Sequence, residues 1–299
     1  MNRPLPESQK EVAIALYQYF QMNAEQLSIL LNYNLRTVYN MISRLRKQGW
    51  VHDVGLGFLG QNHRAYTLTF EGALQTALLT DQPFQPRLWK NRIMGSERTY
   101  YINEFVTQLI AWSSEEKNEG LAEWRGTANA AENYALWDEK SGKRKLRLMP
   151  SAAGTYIWRG GERTVFHLEV DTAASIIWRM QDQFLDYGEV LHQLWGEENV
   201  KRIHVLVLTA NSHRMLRLCR LWRNLVEGAL LGKPLPNVWF IMYDEFQAGG
   251  PLHGSWTNVK DETATWDEFS RLPPVRGKHA VSWIGKRKRA SPFPASIKR

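Results

Sequence analysis

Two short helical patterns near the N-terminus, separated by three residues, constrain this chain more than any other feature. The first pattern runs from Ala24 to Leu31, and the polar break Asn32–Asn34 supplies a turn and an N-cap. In the second pattern, apolar residues recur at spacings of three and four, which predicts a helix with one buried stripe. This stripe consists of Leu35, Val38, Ile42 and Leu45. Gly49 is the expected C-cap, and two helices joined by a tight turn are typical of a helix-turn-helix.

The opposite face of the second helix is basic and carries amide and hydroxyl groups. Such groups suit phosphate oxygens and the base edges of the DNA major groove. The helix is therefore predicted to be a recognition helix for double-stranded DNA. Its candidate DNA-binding residues are Arg36, Thr37, Tyr39, Asn40, Arg44 and Lys47.

A β-hairpin is predicted directly after this helix. Trp50–His52 begins one strand, a glycine-rich loop follows, and Arg64–Thr69 returns as the second strand. A hairpin in this position is the wing of a winged helix, and its tip carries groups that suit phosphates or a minor groove. The candidate DNA-binding residues of the tip are Asn62, His63 and Arg64. Winged helices also serve as protein-docking modules, so a protein-binding adaptor is an open alternative.

Length and composition indicate a globular protein of two domains, with 299 residues and 43% hydrophobic residues. The longest apolar run, around Val205–Leu208, is far too short to span a bilayer, and the N-terminus lacks the pattern of a signal peptide. The single cysteine, Cys219, excludes a disulfide framework. We therefore expect a cytoplasmic protein with no membrane association.

The predicted organisation is a winged helix-turn-helix over residues 1–80, a linker over 81–94 and an α/β domain over 95–250. The α/β domain opens with a helix over Ser96–Trp112, and no element is predicted over most of residues 113–145. Its predicted strands are Lys145–Met149, Gly154–Arg159, Thr164–Asp171, Val205–Thr209 and Val238–Tyr243. Long helices between the last three strands imply parallel crossovers, so the fold class is α/β, with a mixed sheet flanked by helices.

The net charge of +8 is concentrated in the tail, residues 251–299, which we expect to be rich in loops. Arg276–Arg299 contains eight Lys and Arg residues and no Asp or Glu, whereas the rest of the chain is balanced. The run Lys286–Arg289 is either a solvated segment or a source of non-specific phosphate affinity.

Four further arginines recur at spacings of three on a predicted helix and form one ridge, either solvated or lying along a DNA backbone. They are Arg214, Arg217, Arg220 and Arg223.

Two carboxylates at the end of a predicted strand are the candidate metal-binding groups. Residues of the strand Thr164–Asp171 alternate between two faces, so Glu169 and Asp171 share one face with Cα atoms about 6–7 Å apart. A pair in this position could bind Mg²⁺ and activate water against a phosphodiester. In the alternative interpretation, Glu169 pairs with a nearby arginine and Asp171 caps the following helix.

With these motifs the chain resembles the replication-relaxation family, which is found on bacterial plasmids and integrative elements, over about residues 8–245. The resemblance rests on the winged helix, on HLEVD at 167–171, on VLVLTANSHRMLRL at 205–218 and on Phe184–Tyr187. It implies a winged helix followed by a core similar to the PD-(D/E)xK nuclease fold, that is, a restriction-endonuclease-like mixed sheet flanked by helices.

Three departures from the family's pattern concern the nuclease chemistry. Members typically read Pro-Asp where this chain has Pro150–Ser151, and lysine is expected at the positions of Asp171 and Gln183. Loss of a carboxylate weakens divalent-cation binding, and loss of lysine removes a cation that offsets developing charge. We therefore expect a degenerate nuclease-like core with no catalytic residue and no cofactor. Mg²⁺ would bind only if Glu169 and Asp171 formed an active site.

The sequence thus predicts a sequence-specific double-stranded DNA-binding protein of a plasmid or other mobile element, acting in replication, transfer or recruitment of partner machinery. Protein partners from the element are expected, and a homodimer is an option because winged helices often bind palindromes as dimers. Two alternatives stay open: a metal-dependent endonuclease or nickase that uses Glu169 and Asp171, and a protein-binding adaptor.

Overall fold

The computed structural model describes residues 5–82, 84, 86, 89, 96–113, 118–126, 130, 135–138, 142–146, 148–174 and 176–270. The chain divides into two compact units, one extending to Ala111 and the other beginning at Trp112. Most of the expected linker and the basic run from Arg276 lie outside the described residues. Within the described residues, every helix is too short or too polar to cross a membrane.

The first unit is a winged helix-turn-helix with an additional helix. Its elements are α1 (Glu7–Tyr19), α2 (Ala24–Leu31), α3 (Leu35–Lys47), β1 (Val51–Gly55), β2 (Arg64–Leu68), α4 (Phe70–Thr80) and α5 (Glu97–Trp112). The strands β1 and β2 pair in antiparallel register directly after α3, which confirms the predicted wing. The turn before α3 is set locally, because the Asn34 side chain accepts a hydrogen bond of 2.8 Å from the backbone N–H of Thr37.

The buried stripe of α3 differs from the prediction at one position. Val38, Ile42 and Leu45 are at most 1% exposed, as predicted, but Leu35 is 38% exposed and Met41 is buried instead. Each helical residue advances the side chain by about 100°, which places Leu35 at the edge of the arc that the buried residues define. The first turn of α3 therefore lies beyond the cover of the core.

Helix α5 belongs to the first unit, although the sequence analysis assigned it to the second domain. Buried amides attach it to the α1–α2 corner. Nδ2 of Asn103 donates to the carbonyl oxygen of Tyr19 at 3.1 Å. The Gln21 side chain exchanges two hydrogen bonds, of 2.7 and 2.8 Å, with the backbone of Ser96. These bonds join residues 75 and 84 positions apart, so the local helical pattern contained no trace of them.

The second unit is built on a mixed sheet. Its elements are β3 (Gly120–Gly126), β4 (Ala135–Asp138), β5 (Lys143–Leu146), β6 (Ala152–Ile157), β7 (Arg163–Asp171), α6 (Ile177–Trp195), α7 (Glu197–Val200), β8 (Ile203–Thr209), α8 (Ser212–Glu227), β9 (Asn237–Met242), α9 (Tyr243–His253), β10 (Trp256–Asn258), β11 (Thr263–Ala264) and α10 (Trp266–Ser270). Seven strands form the sheet in the order β11-β10-β9-β8-β7-β6-β3. β7, β8 and β9 are parallel, with helical crossovers between them. The predicted α/β class with a mixed sheet is therefore confirmed.

Two parts of the sheet differ from the prediction. The strand expected over Lys145–Met149 is β5, which pairs with β4 in a separate two-stranded sheet. The edge of the central sheet is instead β3, in a stretch where no strand was predicted. The sheet also continues beyond residue 250, where a loop-rich tail was expected, because β10 pairs with β9 and β11 pairs with β10.

The two faces of the central sheet have different covers. On one face, α6 and α8 bury apolar side chains such as Phe184 and Trp222 against β8 and β9. On the other face, the indole of Trp266 in α10 packs against aromatic rings of β6 and β7. Because β7 alternates, Phe166 points to the Trp266 side and Glu169 points to the α6 side.

Candidate functional site

The outer face of α3 brings the predicted recognition residues together. Its exposed side chains are Arg36, Tyr39, Asn40, Arg44 and Lys47. Thr37 is half-buried, and its backbone N–H is held by Asn34. The ion pairs found among the described residues involve none of the three cations on this face, so their donors are available to a partner.

The wing places the remaining predicted DNA contacts beside one another. Asn62 and His63 are exposed in the loop, and Arg64 is the first residue of β2, opposite Gly55. A guanidinium nitrogen of Arg64 lies 3.9 Å from a carboxylate oxygen of Asp53, and its side chain is 62% exposed. A contact this long and this exposed contributes little energy, so Arg64 can exchange Asp53 for a phosphate.

Arg46 joins the wing to α3, a role that the sequence analysis missed. Its guanidinium donates to the Asp53 carboxylate in β1 and lies 5.8 Å from the centre of the Tyr66 ring in β2. The available signal was an arginine in the last turn of α3 followed by an aspartate in the first strand. Since that spacing is common on surfaces where the two charges never meet, only the folded hairpin identifies the pair.

The carboxylate of Glu169 lies in a buried cluster of hydrogen-bond donors. Its Oε1 accepts from the Tyr187 hydroxyl at 2.7 Å and from Nε2 of Gln183 at 2.9 Å, and its Oε2 accepts from the Ser151 hydroxyl at 3.2 Å. The Ser151 hydroxyl also accepts from the backbone N–H of Val170 at 3.0 Å. The family resemblance had singled out these positions individually, and the fold brings all four side chains together.

The second carboxylate, Asp171, forms a buried ion pair with Arg214. Nε of the arginine donates to Oδ2 at 2.6 Å and a terminal nitrogen donates to Oδ1 at 3.0 Å, so the pair is bidentate. Both side chains are less than 10% exposed. The part of the alternative interpretation in which Asp171 caps the next helix is therefore wrong, since Arg214 holds this carboxylate and α6 begins only at Ile177. The pairing of Glu169 with an arginine stays a prediction.

The predicted arginine ridge is also wrong in two of its four members. Arg214 turns inward to Asp171, and Arg223 donates from Nε to the carbonyl oxygen of Val259 at 3.0 Å. Arg217 and Arg220 remain exposed on α8. The drift of a three-residue spacing around the helix carries the first and last members of the row toward the sheet.

The donor set around Glu169 and Asp171 does not fit a divalent cation. Both oxygens of Asp171 are held by a guanidinium, Ser151 supplies a neutral hydroxyl, and both oxygens of Glu169 already accept hydrogen bonds from neutral side chains. Across the described ranges, no group of three or more His, Cys, Asp or Glu residues is placed to hold a metal ion. The nearby His167 is fully buried, which lowers its pKa to about 3 and keeps the ring neutral.

Comparisons with known proteins add a partial match. No family model matches the chain, and no curated protein matches it. Among solved structures, it is similar to a multiple antibiotic resistance repressor, MarR, at 23% identity and a TM-score of 0.24, over 29% of this chain and 64% of that chain. It is likewise similar to the reduced form of MarR from E. coli, at 22% identity, a TM-score of 0.24 and coverages of 29% and 66%.

A third similar structure is a mutant MarR from E. coli complexed with operator DNA, at 21% identity and a TM-score of 0.24, over 31% of this chain and 66% of that chain. The chain thus spans just under two thirds of the length of these structures. At these scores, the winged-helix assignment rests on the order and pairing of α1–α4, β1 and β2 themselves. The resemblance to the replication-relaxation family stays a prediction from the sequence motifs.

Proposed function

We propose that the protein is a sequence-specific double-stranded DNA-binding protein of a plasmid or other mobile element. It would act in replication, transfer or recruitment of partner machinery. The observation that carries the proposal is the exposed surface formed by α3 and the wing. The three cations on the outer face of α3, Arg36, Arg44 and Lys47, have no acidic partner among the described residues. The wing adds Asn62, His63 and Arg64. The mobile-element setting and the cytoplasmic location are supported by the sequence alone.

The two parts of this surface suit two parts of a duplex. With 13 residues, α3 is about 20 Å long and fits the major groove, where Arg36 and Asn40 can bond guanine and adenine edges in bidentate fashion. Arg44 and Lys47 lie further along the same face, where phosphates flank the groove. The wing side chains suit the backbone or the neighbouring minor groove.

The test is a mobility-shift series on fragments of the protein's own locus, across salt concentrations. Arg36→Ala combined with Asn40→Ala is expected to abolish sequence preference, because each lost base contact costs about 1–3 kcal/mol. The matched control is Arg220→Ala with Asn224→Ala, an exposed pair at the same spacing on α8, which is expected to keep the preference. Unchanged preference in the α3 variant would refute the assignment, and no complex at any salt would favour the adaptor.

We further propose that the second unit is a nuclease-like scaffold without catalysis. The support is that Asp171 is committed to Arg214 and that Glu169 is surrounded by hydroxyl and amide donors. Supercoiled plasmid incubated with the protein and Mg²⁺ or Mn²⁺ is expected to stay intact. Metal-dependent nicking that disappears in Glu169→Ala would contradict the scaffold and promote the endonuclease alternative.

The proposal includes a homodimer as the DNA-bound form, because winged helices often read palindromes in pairs. Native mass measurement of the complex is expected to give two chains per duplex. One chain per duplex would contradict the dimer while leaving DNA binding intact. Protein partners from the same element are expected to bind the second unit, which a pull-down with that unit's surface variants would test.

A further inference from the structure

The wing loop is ordered by its own backbone. Leu56 is 1% exposed, and its N–H donates to the carbonyl oxygen of His63 at 2.9 Å. A single 3₁₀ turn over Gly57–Leu59 follows, and the N–H of His63 returns to the carbonyl oxygen of Gly60 at 3.3 Å. These bonds close the loop at both ends, and Phe58 is the central residue of the turn.

Phe58 contacts two tyrosines in the first turns of α5. Its ring centre lies 5.6 Å from that of Tyr100 in an edge-to-face arrangement and 6.3 Å from that of Tyr101. The two tyrosine rings lie 5.3 Å apart at 82° to each other. Both tyrosines are buried, at 8% and 5% exposure, whereas Phe58 is 37% exposed. The loop is therefore docked onto two tyrosine rings that also pack against each other.

Helix α5 is itself held firmly against the rest of the winged helix. The Ser96 hydroxyl accepts from the backbone N–H of Thr99 at 3.2 Å at the start of the helix. Nε2 of Gln26 in α2 donates to the carbonyl oxygen of Tyr100 at 3.4 Å and to a carboxylate oxygen of Glu104 at 2.9 Å. Movement of Tyr100 would break these bonds, so the surface that receives Phe58 is fixed relative to α2.

Besides the hydrogen bonds that Tyr66 and Thr67 make to the α1–α2 corner, two further attachments hold different parts of the hairpin. Arg46 holds the strands to α3 through Asp53 and Tyr66, and Phe58 holds the loop to α5. The first attachment sets where the hairpin starts. The second determines where its loop points, and Asn62, His63 and Arg64 follow Phe58 within six residues.

We propose that Phe58 is a positioning residue for DNA binding and that α5 is the brace of the wing. The inference rests on the proposed DNA-binding function and deepens it by naming what aims the wing side chains. Without the brace, the loop as a whole can point in more directions, and DNA binding must fix its orientation first. The expected partner of the braced loop is the phosphate backbone or minor groove that flanks the groove occupied by α3.

Phe58→Ala in the full chain is expected to weaken binding to the locus fragment about tenfold. The footprint should shorten on the flank covered by the wing and stay intact over the α3 site. The slope of log affinity against log salt concentration should fall by about one, as for one lost phosphate contact. Phe70→Ala is the matched control, since Phe70 is 40% exposed and packs at 5.2 Å on Phe84, outside the wing.

A double-mutant cycle separates positioning from general destabilisation. If Phe58 acts through the wing tip, Phe58→Ala should cost clearly less in an Arg64→Ala background than in the wild type, because one of the contacts that it positions is already lost. Full additivity of the two changes, or an unshortened footprint in Phe58→Ala, would overturn the brace. Phe58→Tyr keeps the ring and is expected to restore binding, which guards against misfolding of the alanine variant. A wild-type protein that binds no fragment would instead refute the proposed function itself.

Discussion

The outer face of α3 and the carboxylate cluster of β7 use similar side chains in opposite ways. On α3, Arg44 and Lys47 are exposed and have no acidic partner among the described residues. In the second unit, Arg214 is buried and both of its hydrogen bonds to Asp171 are satisfied inside the protein. The comparison shows that a charged side chain serves recognition where its donors face water and serves stability where the fold has already occupied them.

The largest expected effect that tests this comparison comes from the buried ion pair. Arg214→Ala leaves the Asp171 carboxylate buried without its main partner, so the free energy of unfolding should fall by about 3–5 kcal/mol. Arg217→Ala, on the exposed side of the same helix, should change it by less than about 0.5 kcal/mol. Urea denaturation followed by circular dichroism measures both, and equal losses would remove the distinction drawn here.

A buried histidine should make stability depend on pH more strongly than an exposed histidine does. Burial lowers the pKa of His204 from 6.5 to about 4, so the unfolded chain binds a proton that the folded chain does not between those values. Stability should therefore fall as the pH drops from 6.5 to 4, by up to about 3 kcal/mol for this group, with no further loss from it below pH 4.

His204→Gln should flatten this part of the stability profile. The control is His253→Gln, because His253 is exposed. Melting temperatures recorded at half-unit pH intervals give the comparison. Identical profiles for wild type and His204→Gln would show that the loss of stability in acid arises elsewhere.

A smaller loss of stability is expected when a buried tyrosine, rather than an exposed one, loses its hydroxyl. Tyr187→Phe removes the 2.7 Å hydrogen bond to the Glu169 carboxylate and should lower the free energy of unfolding by about 2 kcal/mol, the range for a bond to a charged group. Tyr39→Phe on α3, where the side chain is 45% exposed, should have almost no effect on unfolding. A Tyr187→Phe protein as stable as wild type would mean that the Glu169 carboxylate is satisfied without the Tyr187 hydroxyl.

The smallest stability effect is expected on the recognition face itself. Arg44→Ala should leave the free energy of unfolding within about 0.5 kcal/mol of wild type. It should also lower the slope of log affinity for DNA against log salt concentration by about one. Arg46→Ala, two residues on, should do the reverse and destabilise the wing, because Arg46 is bonded to Asp53. If Arg44→Ala unfolded more easily than Arg46→Ala, the roles assigned to the two residues would be exchanged.

Local patterns predicted the elements of the recognition surface well. The Asn34 cap, the apolar spacing of three and four in α3 and the glycine-rich turn of the wing each involve only a few neighbouring residues. The winged helix could therefore be predicted from the sequence. The alternation of β7 likewise placed Glu169 and Asp171 on one face. The DNA contacts predicted for the exposed residues of α3 and the wing stay predictions.

The sequence by itself determined where most of the helices and strands form, because caps, turns and periodicity are short-range. Only the tertiary structure decided which arginine is buried, that α5 belongs to the winged helix, and that β3 is an edge strand of the central sheet. Those outcomes depend on hydrogen bonds between residues tens of positions apart, such as the 43 that separate Asp171 from Arg214. The sequence pattern of an arginine on a helix is the same whether its partner is water, a phosphate or a buried aspartate. The packing of elements distant in sequence determines which partner it has.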